Sequence, residues 1–206
     1  TSIRGSLGLL SGGVAGPIPA PAKSLLDIAH RNAERLVLLV NDILDIEKIE
    51  AGKMRFTMKS LALGALAGEA VQNAEGLAAT RAVRLERRAR VPNLRVYADE
   101  QRLLQVMANL LSNAIKYSPE GGTVEVDVDS HDGQARVRVT DHGPGVPEAS
   151  QPKIFQKFYQ ADSSSAREKG GTGLGLSICK ALVERMDGRV SFVSRPGETC
   201  FAFSLP

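Results

Sequence analysis

The spacing of apolar side chains changes near Met54, and this change constrains the fold more than any other feature of the sequence. Before it, apolar residues recur every three or four positions in two runs, separated by a segment rich in Gly and Pro, residues 12–21. Heptads on two helices joined by such a turn predict an antiparallel helical hairpin. The predicted seam consists of Ile3, Leu7, Leu10 and Val14, and then of Leu25, Ala29, Asn32, Leu36, Leu39, Ile43 and Ile46.

A hairpin of this size buries too little apolar surface to be stable alone. We therefore expect a homodimer in which two hairpins form a four-helix bundle. Asn32 is polar, and a polar residue on an apolar seam sets register and pairing. Gly52 is the expected end of the second helix, because glycine favours the position just after a helix.

From Met54 onward the pattern is that of a mixed α/β domain. Strict alternation of apolar and polar residues predicts strands at 124–128 and 135–139. Asp99 is the expected N-cap of a helix that runs to Tyr117. The sequence thus predicts a helical hairpin at residues 1–53 followed by an α/β sandwich at residues 54–206. The other predicted elements are strands at 55–61, 83–88, 189–193 and 199–205, and helices at 63–79 and 172–186.

The charge pattern argues against a nucleic-acid partner. The formal net charge is +3, and arginines crowd the stretch from Arg81 to Arg95. Proteins that bind single-stranded nucleic acid interleave such cations with aromatic side chains that stack on bases. This stretch lacks those aromatics, so we expect a solvated face around a short strand and no nucleic-acid binding.

The cysteines and the start of the chain bear on its location. Cys179 and Cys200 lie in apolar surroundings, which favours buried reduced thiols and a cytoplasmic compartment. No apolar run reaches membrane-spanning length. Because the chain opens at Thr1 within a heptad pattern, we expect a fragment, and any membrane anchor of the parent protein would lie outside it.

The helix that begins at Asp99 carries polar side chains on one face. Gln105, Asn109, Asn113 and Lys116 fall at i, i+4, i+8 and i+11, with Tyr117 at the edge of the same face. Amide oxygens suit a hard cation such as Mg²⁺, and an ammonium suits phosphate. On this evidence alone an ordinary solvated face remains the alternative.

Asp141 ends a predicted strand and has the parity of the apolar residues before it. A buried carboxylate needs a donor, and the exocyclic amine of adenine is a suitable one. Gly143 and Gly145 would let the backbone approach a flat base closely. The alternative is a turn in which Asp141 caps a helix.

A glycine-rich segment, residues 170–176, leads directly into a predicted helix. Free N–H groups and the helix dipole together make such a segment an anion site. It is neither a Walker loop nor a dinucleotide fingerprint, because it lacks the Gly-Lys-Ser/Thr sequence and a preceding strand. A flexible loop beside a helix start is the alternative.

Four segments in this order resemble the boxes of two-component sensor histidine kinases. The N box is similar to residues 105–117, QVMANLLSNAIKY, and the G1 box to residues 141–145, DHGPG. The F box is similar to residues 155–159, FQKFY, and the G2 box to residues 171–176, GTGLGL. Residues 28–54 look like the second helix of the dimerisation and histidine-phosphotransfer domain of these kinases.

The resemblance implies a Bergerat-type ATP-binding fold, shared with DNA gyrase, HSP90 and MutL, and ATP and Mg²⁺ as cofactors. Asn113 would be the main Mg²⁺ ligand with Asn109 assisting, and Lys116 would contact the phosphates. Asp141 would accept from the adenine amine. The other residues implied to bind ATP are Tyr117, Gly143 and Gly145, the phosphate-binding Gly171, Thr172, Gly173, Leu174, Gly175 and Leu176, and Thr199 near adenine. Residues 146–170 would form a mobile lid whose base docks on the hairpin through Phe155 and Phe158.

The chain also departs from the family pattern. The family's acceptor His would precede Thr1, so we expect the acceptor to be absent from this chain. His30 is expected to be exposed and off the acceptor position, and His131 and His142 are expected to have no special role. Gln160 stands where many relatives carry Arg, and would give a weaker phosphate contact.

The expected function is transfer of the ATP γ-phosphoryl group to a histidine and then to an aspartate on the receiver domain of a response regulator. An ATPase like gyrase is the first alternative. It is disfavoured because Asn109 stands where those enzymes carry a general-base Glu. The second alternative is a nucleotide-binding scaffold that dimerises and docks a regulator without catalysis.

Overall fold

The computed structural model describes residues 2–14, 16–91, 93–161 and 171–206, without the side chain of Arg4. The chain divides into two compact units, Thr1–Lys48 and Ile49–Pro206. A helical region followed by an α/β domain is the predicted fold class, and it is confirmed. The predicted domain boundary after residue 53 stays a prediction.

The first unit contains two helices, α1 (Ser2–Ser11) and most of α2 (Ala20–Glu50). Gly13 and Gly16 adopt φ values of 80° and 92° between them, a left-handed backbone that few other residues adopt readily. Ser11 Oγ donates a hydrogen bond to Asp27 Oδ1 at 3.4 Å. The helices therefore form the hairpin that the heptads predict.

His30 differs from its prediction, since it is half-buried and not exposed. Its ring lies against α1, where a Cβ at Gly8 would be 3.6 Å from His30 Nε2. The predicted end of α2 is confirmed, because α2 stops at Glu50 and Gly52 has a φ of 63°. The helix leaves large apolar side chains exposed, among them Leu25, Ile28, Leu36, Leu38, Val40 and Leu44.

The described residues of the second unit form two sheets and three long helices. The two-stranded sheet pairs β1 with β3, and the five-stranded sheet has the order β2-β4-β5-β7-β6. All pairings are antiparallel except that of β2 with β4. The elements are β1 (Met58–Ala62), α3 (Leu63–Ala79), β2 (Arg84–Ala89), β3 (Arg95–Asp99), α4 (Glu100–Tyr117), β4 (Thr123–His131), β5 (Gln134–Asp141), α5 (Gly175–Glu184), β6 (Arg189–Arg195) and β7 (Glu198–Leu205).

The core of this unit lies between the helices and the five-stranded sheet. Alternate residues of β4, β5 and β7 point inward because side chains alternate across a strand. Helix α4 packs between α3 and α5 and buries a broad apolar stripe. The stripe comprises Leu103, Val106, Met107, Leu110, Leu111, Ala114 and Ile115. The opposite, polar side of α4 is thereby held in a fixed orientation.

Charged residues cover the other face of the sheet. Asp129 accepts from the Arg136 guanidinium at 2.9 and 3.2 Å and from Arg138 at 3.1 Å. The hydrogen bond from Arg136 is the main cause that lowers the pKa of Asp129. Asp127 and Asp129 are both buried beneath these arginines.

The structure differs from the sequence prediction at several elements. The short strand β3 was missed, and β1 begins at Met58 where the sequence predicted residue 55. Helix α5 begins at Gly175 where the sequence predicted Thr172. Helix α5 cannot begin as early as Thr172, because Gly173 has a φ of 72°, which an α-helix cannot contain.

A helix that crosses a bilayer must be long and predominantly apolar. None of the helices within residues 2–14, 16–91, 93–161 and 171–206 combines the necessary length with sufficient apolar character.

Candidate functional site

Helix α4 is anchored at its start by Asp99, as predicted. Asp99 Oδ1 accepts a hydrogen bond from the Arg102 backbone N–H at 3.1 Å, which is the geometry of an N-cap. The other oxygen, Oδ2, accepts from the Thr57 N–H at 2.7 Å. One carboxylate therefore fixes both the first turn of α4 and the backbone just before β1.

The polar face of α4 lies against the glycine-rich loop, residues 171–175. Asn109 Nδ2 donates to the Gly175 carbonyl oxygen at 3.4 Å. A Cβ at Gly171 would lie 3.0 Å from Lys116 Nζ, so the ammonium lies directly beside this glycine. Asn113 is one helical turn from both Asn109 and Lys116. Gln105, at the far end of the face, instead accepts from Arg102.

The glycine-rich loop has a defined backbone. Thr172 Oγ1 accepts a hydrogen bond from the Leu174 N–H at 3.2 Å. A Cβ at Gly173 would lie 2.8 Å from the carbonyl carbon of Phe158, so only glycine fits there. Helix α5 begins two residues later, and the first N–H groups of a helix have no acceptor within it. These donors and the helix dipole make the start of α5 suited to an anion.

Leu174 and Leu176 differ in their burial and contacts. The Leu174 side chain is fully buried, and its N–H is already bonded to Thr172. In this structure Leu174 therefore anchors the loop to the core and its N–H is not a free anion donor. Leu176 is half-buried in the first turn of α5.

Asp141 lies at the end of β5, where its side chain points inward and is only 4 % exposed. Its Oδ1 accepts from the Gly143 N–H at 3.0 Å. Burial raises the pKa of Asp141 to about 6, although the Gly143 N–H and His142 both favour the charged form. A buried carboxyl group with a raised pKa is a frequent mark of a functional site.

The two glycines after Asp141 permit close backbone contacts. A Cβ at Gly143 would lie 2.5 Å from the Tyr117 carbonyl oxygen. A Cβ at Gly145, which has a φ of 85°, would lie 2.6 Å from the Arg195 carbonyl oxygen. The turn after β5 is thus held between the end of α4 and the β6–β7 hairpin.

A hydroxyl pair lies beside Asp141. Thr199 is 3 % exposed and stands opposite Asp141 in the pairing of β5 with β7. Its Oγ1 is 2.9 Å from Ser194 Oγ, which accepts from the Val146 N–H at 2.8 Å. Sequence reasoning missed Ser194. The predicted β6–β7 hairpin could have indicated Ser194, because Ser194 and Thr199 face each other across this hairpin.

The end of α4 joins the two halves of the site. Lys116 reaches the glycine-rich loop, and the next residue, Tyr117, places its carbonyl against Gly143. The Lys116 ammonium also lies 4.9 Å from the centroid of the Tyr117 ring, which is 40 % exposed. The fold therefore places the glycine-rich loop and a buried carboxyl group on either side of the dipeptide Lys116–Tyr117.

The donor set at α4 fits a hard cation that keeps some of its water. Asn109 and Asn113 carry amide oxygens, which are ligands of the kind that Mg²⁺ accepts. Within the described residues no group of three or more His, Cys, Asp or Glu side chains could hold a metal ion. A magnesium ion here would therefore depend on these amides and on oxygens of its ligand and of water.

The segment before the glycine-rich loop is anchored to the sheet. The Phe155 ring packs edge-on against Phe192 and Phe201, with centroids 5.9 and 6.5 Å away. Phe158 is 62 % exposed and has a φ of 62°. The predicted lid, residues 146–170, lies outside the described residues in its part 162–170.

Two segments of the chain match known protein families. Residues 98–206 match the family described as histidine kinase-, DNA gyrase B- and HSP90-like ATPase. Residues 1–52 match the His kinase A phospho-acceptor domain. The chain belongs to the sensor histidine kinases. As a histidine kinase, it has both of the modules that the sequence predicted, in the predicted order.

This histidine kinase chain is 37 % identical over 185 residues to the circadian input-output histidine kinase CikA of Synechococcus elongatus. The match covers 89 % of this chain and 24 % of CikA, so the chain spans less than a quarter of that relative's length.

Two solved kinase structures are similar. Full-length ShkA in complex with AMPPNP has a TM-score of 0.80 at 27 % identity and is matched over 100 % of this chain and 43 % of ShkA. ThkA in complex with the response regulator protein TrrA has a TM-score of 0.73 at 26 % identity. That match covers 98 % of this chain and 58 % of the ThkA chain.

Proposed function

We propose that residues 49–206 bind ATP with Mg²⁺ and deliver its γ-phosphoryl group to a histidine. One observation carries the proposal. Consecutive residues at the end of α4 contact both glycine segments, with Lys116 at Gly171 and the Tyr117 carbonyl at Gly143. A nucleotide has a charged end and a flat end a few bonds apart, and this arrangement offers a separate environment for each.

The base would bind on the side of Asp141. The adenine amine donates, and the ionised Asp141 carboxylate accepts, so the bond would compensate the desolvation of a nearly fully buried charge. Thr199 lies directly across the β5–β7 pairing and would complete the polar end of the pocket. The exposed Tyr117 ring would cover the base, and Gly143 and Gly145 would allow the backbone to approach it.

The phosphates would bind at the start of α5. The N–H groups of Gly171, Thr172, Gly173, Gly175 and Leu176 are the candidate backbone donors, supported by the helix dipole. Lys116 would neutralise phosphate charge from the other side. Asn113, assisted by Asn109, would hold Mg²⁺, which would screen the triphosphate and lower the barrier to transfer.

Phosphoryl transfer requires little covalent chemistry from the protein. The bond between the γ-phosphorus and its bridging oxygen breaks, a bond to an imidazole nitrogen forms, and ADP departs. The residues above would hold the triphosphate in line with that nitrogen, and positioning supplies much of the rate. A second transfer would move the phosphoryl group from the imidazole to an aspartate of a response regulator.

We further propose that none of the histidines in this chain is the acceptor. His30 is half-buried against α1. His131 lies in the β4–β5 turn, 3.4 Å from Asp132, and His142 follows the buried Asp141. None has the position that the family resemblance implies for an acceptor on the first hairpin helix.

Hydrolysis of ATP is a less suitable function for this site. A hydrolase of this fold needs a carboxylate to take a proton from water, one turn before the Mg²⁺-binding asparagine. Asn109 stands there, and its amide donates to the Gly175 carbonyl. An amide cannot act as a general base.

Two protein partners are part of the proposal. The apolar side chains that α2 exposes, such as Leu25 and Leu36, would be covered in a four-helix bundle with a second copy. The similar ThkA was solved with a response regulator protein, which supports a receiver domain as the second partner.

Calorimetry with AMPPNP and Mg²⁺ tests nucleotide binding. Measurable heat and a rise in the melting temperature of the chain are expected, because a ligand that binds only the folded state stabilises it. A chain that gives neither heat nor thermal shift would contradict the site assignment.

Labelling with γ-³²P-ATP tests the acceptor assignment. The chain alone should gain no acid-labile label, whereas a longer form of the protein that contains the family's phosphoacceptor segment should gain it. Label on the chain alone that disappears in His30→Gln would contradict the assignment, and His131→Gln serves as the matched control.

A further inference from the structure

A row of three polar side chains crosses the inward face of the five-stranded sheet. Asp141, Thr199 and Ser194 are partners in the pairings of β5 with β7 and of β7 with β6. Asp141 and Thr199 are buried, and Ser194 is half-buried. Buried polar groups cost free energy unless they are hydrogen-bonded, so the bonds of this row decide what it can do. The next row of the same face is apolar and consists of Val139, Phe201 and Phe192.

Ser194 is hydrogen-bonded on two sides. Its Oγ accepts from the Val146 N–H at 2.8 Å and lies 2.9 Å from Thr199 Oγ1. Val146 is itself held in place, because Gln151 Nε2 donates to its carbonyl oxygen at 3.1 Å. A serine hydroxyl has one proton and two lone pairs. With one lone pair taken by the Val146 N–H, Ser194 can either donate to Thr199 or accept from it.

The direction of the bond between these hydroxyls decides what Thr199 offers to a ligand. If Ser194 donates, the Thr199 proton is left for another acceptor. Asp141 stands directly opposite Thr199, and with a pKa of about 6 its carboxyl group is mainly ionised at neutral pH. Hydroxyl dipoles orient in the local field, and a carboxylate attracts the proton and repels the lone pairs. The field therefore favours donation from Ser194 to Thr199, with the Thr199 proton on the side of Asp141.

The row then offers a matched pair of groups to one edge of a purine, an acceptor on Asp141 beside a donor on Thr199. Side chains directly opposite in an antiparallel pair are about 4.5–5.5 Å apart at Cβ, near enough for both to reach one base edge. Adenine carries a donating amine next to an accepting ring nitrogen, N1, and a 6-oxopurine carries an acceptor next to a donor. Buried hydrogen-bonding groups reject a ligand that leaves them unpaired.

We propose that Ser194 is a positioning residue for recognition of the base, which donates to Thr199 Oγ1 and so directs the Thr199 proton to the ring nitrogen beside the adenine amine. The inference rests on the proposed ATP-binding function. The family resemblance implies that Thr199 lies near adenine, and the structure adds Ser194 and the Val146 N–H as the groups that set the direction of its hydroxyl. Preference for a nitrogen at that place in the ring should therefore depend on Ser194.

The test uses a nucleotide that lacks this nitrogen. In 1-deaza-ATP a C–H group replaces N1, while the amine and the triphosphate are kept. Calorimetry with Mg²⁺ and each nucleotide gives the preference, which is the ratio of the affinity for ATP to that for 1-deaza-ATP. Ser194→Ala removes the donor to Thr199, Ser194→Cys keeps the side-chain size with a weak donor, and Ser194→Thr keeps the hydroxyl. Ser191→Ala, at an exposed serine of the same strand, is the control.

The unchanged chain should bind ATP about tenfold more tightly than 1-deaza-ATP, because the C–H group leaves a buried donor unsatisfied. Thr199→Val should bind the two nucleotides within about twofold of each other. Ser194→Ala and Ser194→Cys should lower the preference to about threefold or less, because the Thr199 hydroxyl can then rotate away from the base. Ser194→Thr and Ser191→Ala should keep the preference of the unchanged chain.

The sign of the change separates the two bond directions. If Thr199 donated to Ser194, removal of Ser194 would free the Thr199 proton, and the preference would rise. A preference that is unchanged or larger in Ser194→Ala and Ser194→Cys therefore overturns the inference while the proposed function stands. The same holds if these variants weaken both nucleotides equally, since Ser194 would then only maintain the structure.

Two results with the unchanged chain are also decisive. Equal affinity for ATP and 1-deaza-ATP would mean that Thr199 does not contact the ring nitrogen, and the inference would fail while nucleotide binding stands. If the unchanged chain binds neither nucleotide, the proposed function fails, and this inference fails with it.

Discussion

Asp141 and Thr199 stand directly opposite each other in the antiparallel pairing of β5 with β7, and both side chains are buried. A carboxyl group in this position has lost most of its hydration, which disfavours its charged form. The Gly143 N–H satisfies one of its oxygens. The unliganded fold therefore carries a destabilising charge at neutral pH, and a donor from a ligand would relieve it.

The first prediction concerns stability and pH. The pKa of Asp141 is raised to about 6 in the folded chain and should be near 3.9 when unfolded. The folded state then binds more protons between these values, so Asp141 lowers the free energy of unfolding as pH rises from about 4 to about 6. Replacing it with Asn, which can still accept from Gly143, should remove this loss.

At pH 7.5 Asp141→Asn should therefore have a free energy of unfolding up to about 3 kcal/mol higher than that of the unchanged chain. It should accordingly melt at a higher temperature. At pH 4 the two should differ little, because both side chains are neutral there. Thermal melts without nucleotide across this range measure the effect. A constant difference at all pH values would mean that the charge of Asp141 is not its cause.

The second prediction separates recognition of the base from recognition of the phosphates. Asp141→Asn places an amide group where the carboxylate would accept from the adenine amine. ATP affinity should fall by about tenfold or more, in line with the loss of a charge-assisted hydrogen bond, while tripolyphosphate affinity stays unchanged. Calorimetry with both ligands measures this. Equal losses for both ligands would show that Asp141 does not contact the base.

The periodic parts of this fold were accessible from sequence, and the parts set by distant contacts were not. The heptads of α2 and the amphipathic pattern of α4 can be recognised in the sequence, because local spacing determines which face of a helix is buried. Strand β3 is only five residues long and exists through its pairing with β1, more than thirty residues earlier. No local pattern marks such a pairing.

The residues of the candidate site also divide into those that a local sequence pattern predicts and those that distant contacts position. Asp141, Lys116 and the glycine-rich loop were predicted because each belongs to a segment with a recognisable pattern. The contacts of Ser194 with Thr199 and of Gln160 with the Gly171 carbonyl depend on the register of a hairpin and on the packing of two loops. The start of α5 was misplaced because no local sequence pattern reveals the positive φ of Gly173, which excludes a helix.

The third prediction compares two glycines with nearly the same φ angle. Gly173 has a φ of 72° and Gly121 a φ of 74°. A Cβ at Gly173 would lie 2.8 Å from the Phe158 backbone, whereas a Cβ at Gly121 would meet nothing within 4 Å. Alanine at either position has the same backbone strain, of about 1–2 kcal/mol. Only alanine at Gly173 must also displace a neighbouring chain segment.

Gly173→Ala should therefore reduce the affinity for Mg²⁺-ATP by about tenfold or more, because a shift of the loop misplaces its N–H donors. Gly121→Ala should lose only stability and bind ATP as the unchanged chain does. Calorimetry and thermal melts of both variants measure this. If both variants bind ATP equally well, the close contact with Phe158 is not needed for binding.

The fourth prediction concerns the hydroxyl pair beside Asp141. Ser194 Oγ accepts from the Val146 N–H and is bonded to Thr199 Oγ1. Ser194→Ala leaves both partners unsatisfied in a largely buried region, which should cost about 1–3 kcal/mol of unfolding free energy. Thr199→Val removes one hydroxyl and keeps the shape, so it should cost about 1 kcal/mol.

Ser194 and Thr199 share one hydrogen bond between their hydroxyls. The double variant should therefore lose less unfolding free energy than the sum of the two single variants, by about 0.5–1 kcal/mol. Urea denaturation of all four forms completes the cycle. Ser191→Ala, an exposed serine on the same strand, is the control and should change stability by less than about 0.5 kcal/mol. Strict additivity would mean that Ser194 acts only through Val146, and that Thr199 is held beside Asp141 by the β5–β7 backbone alone.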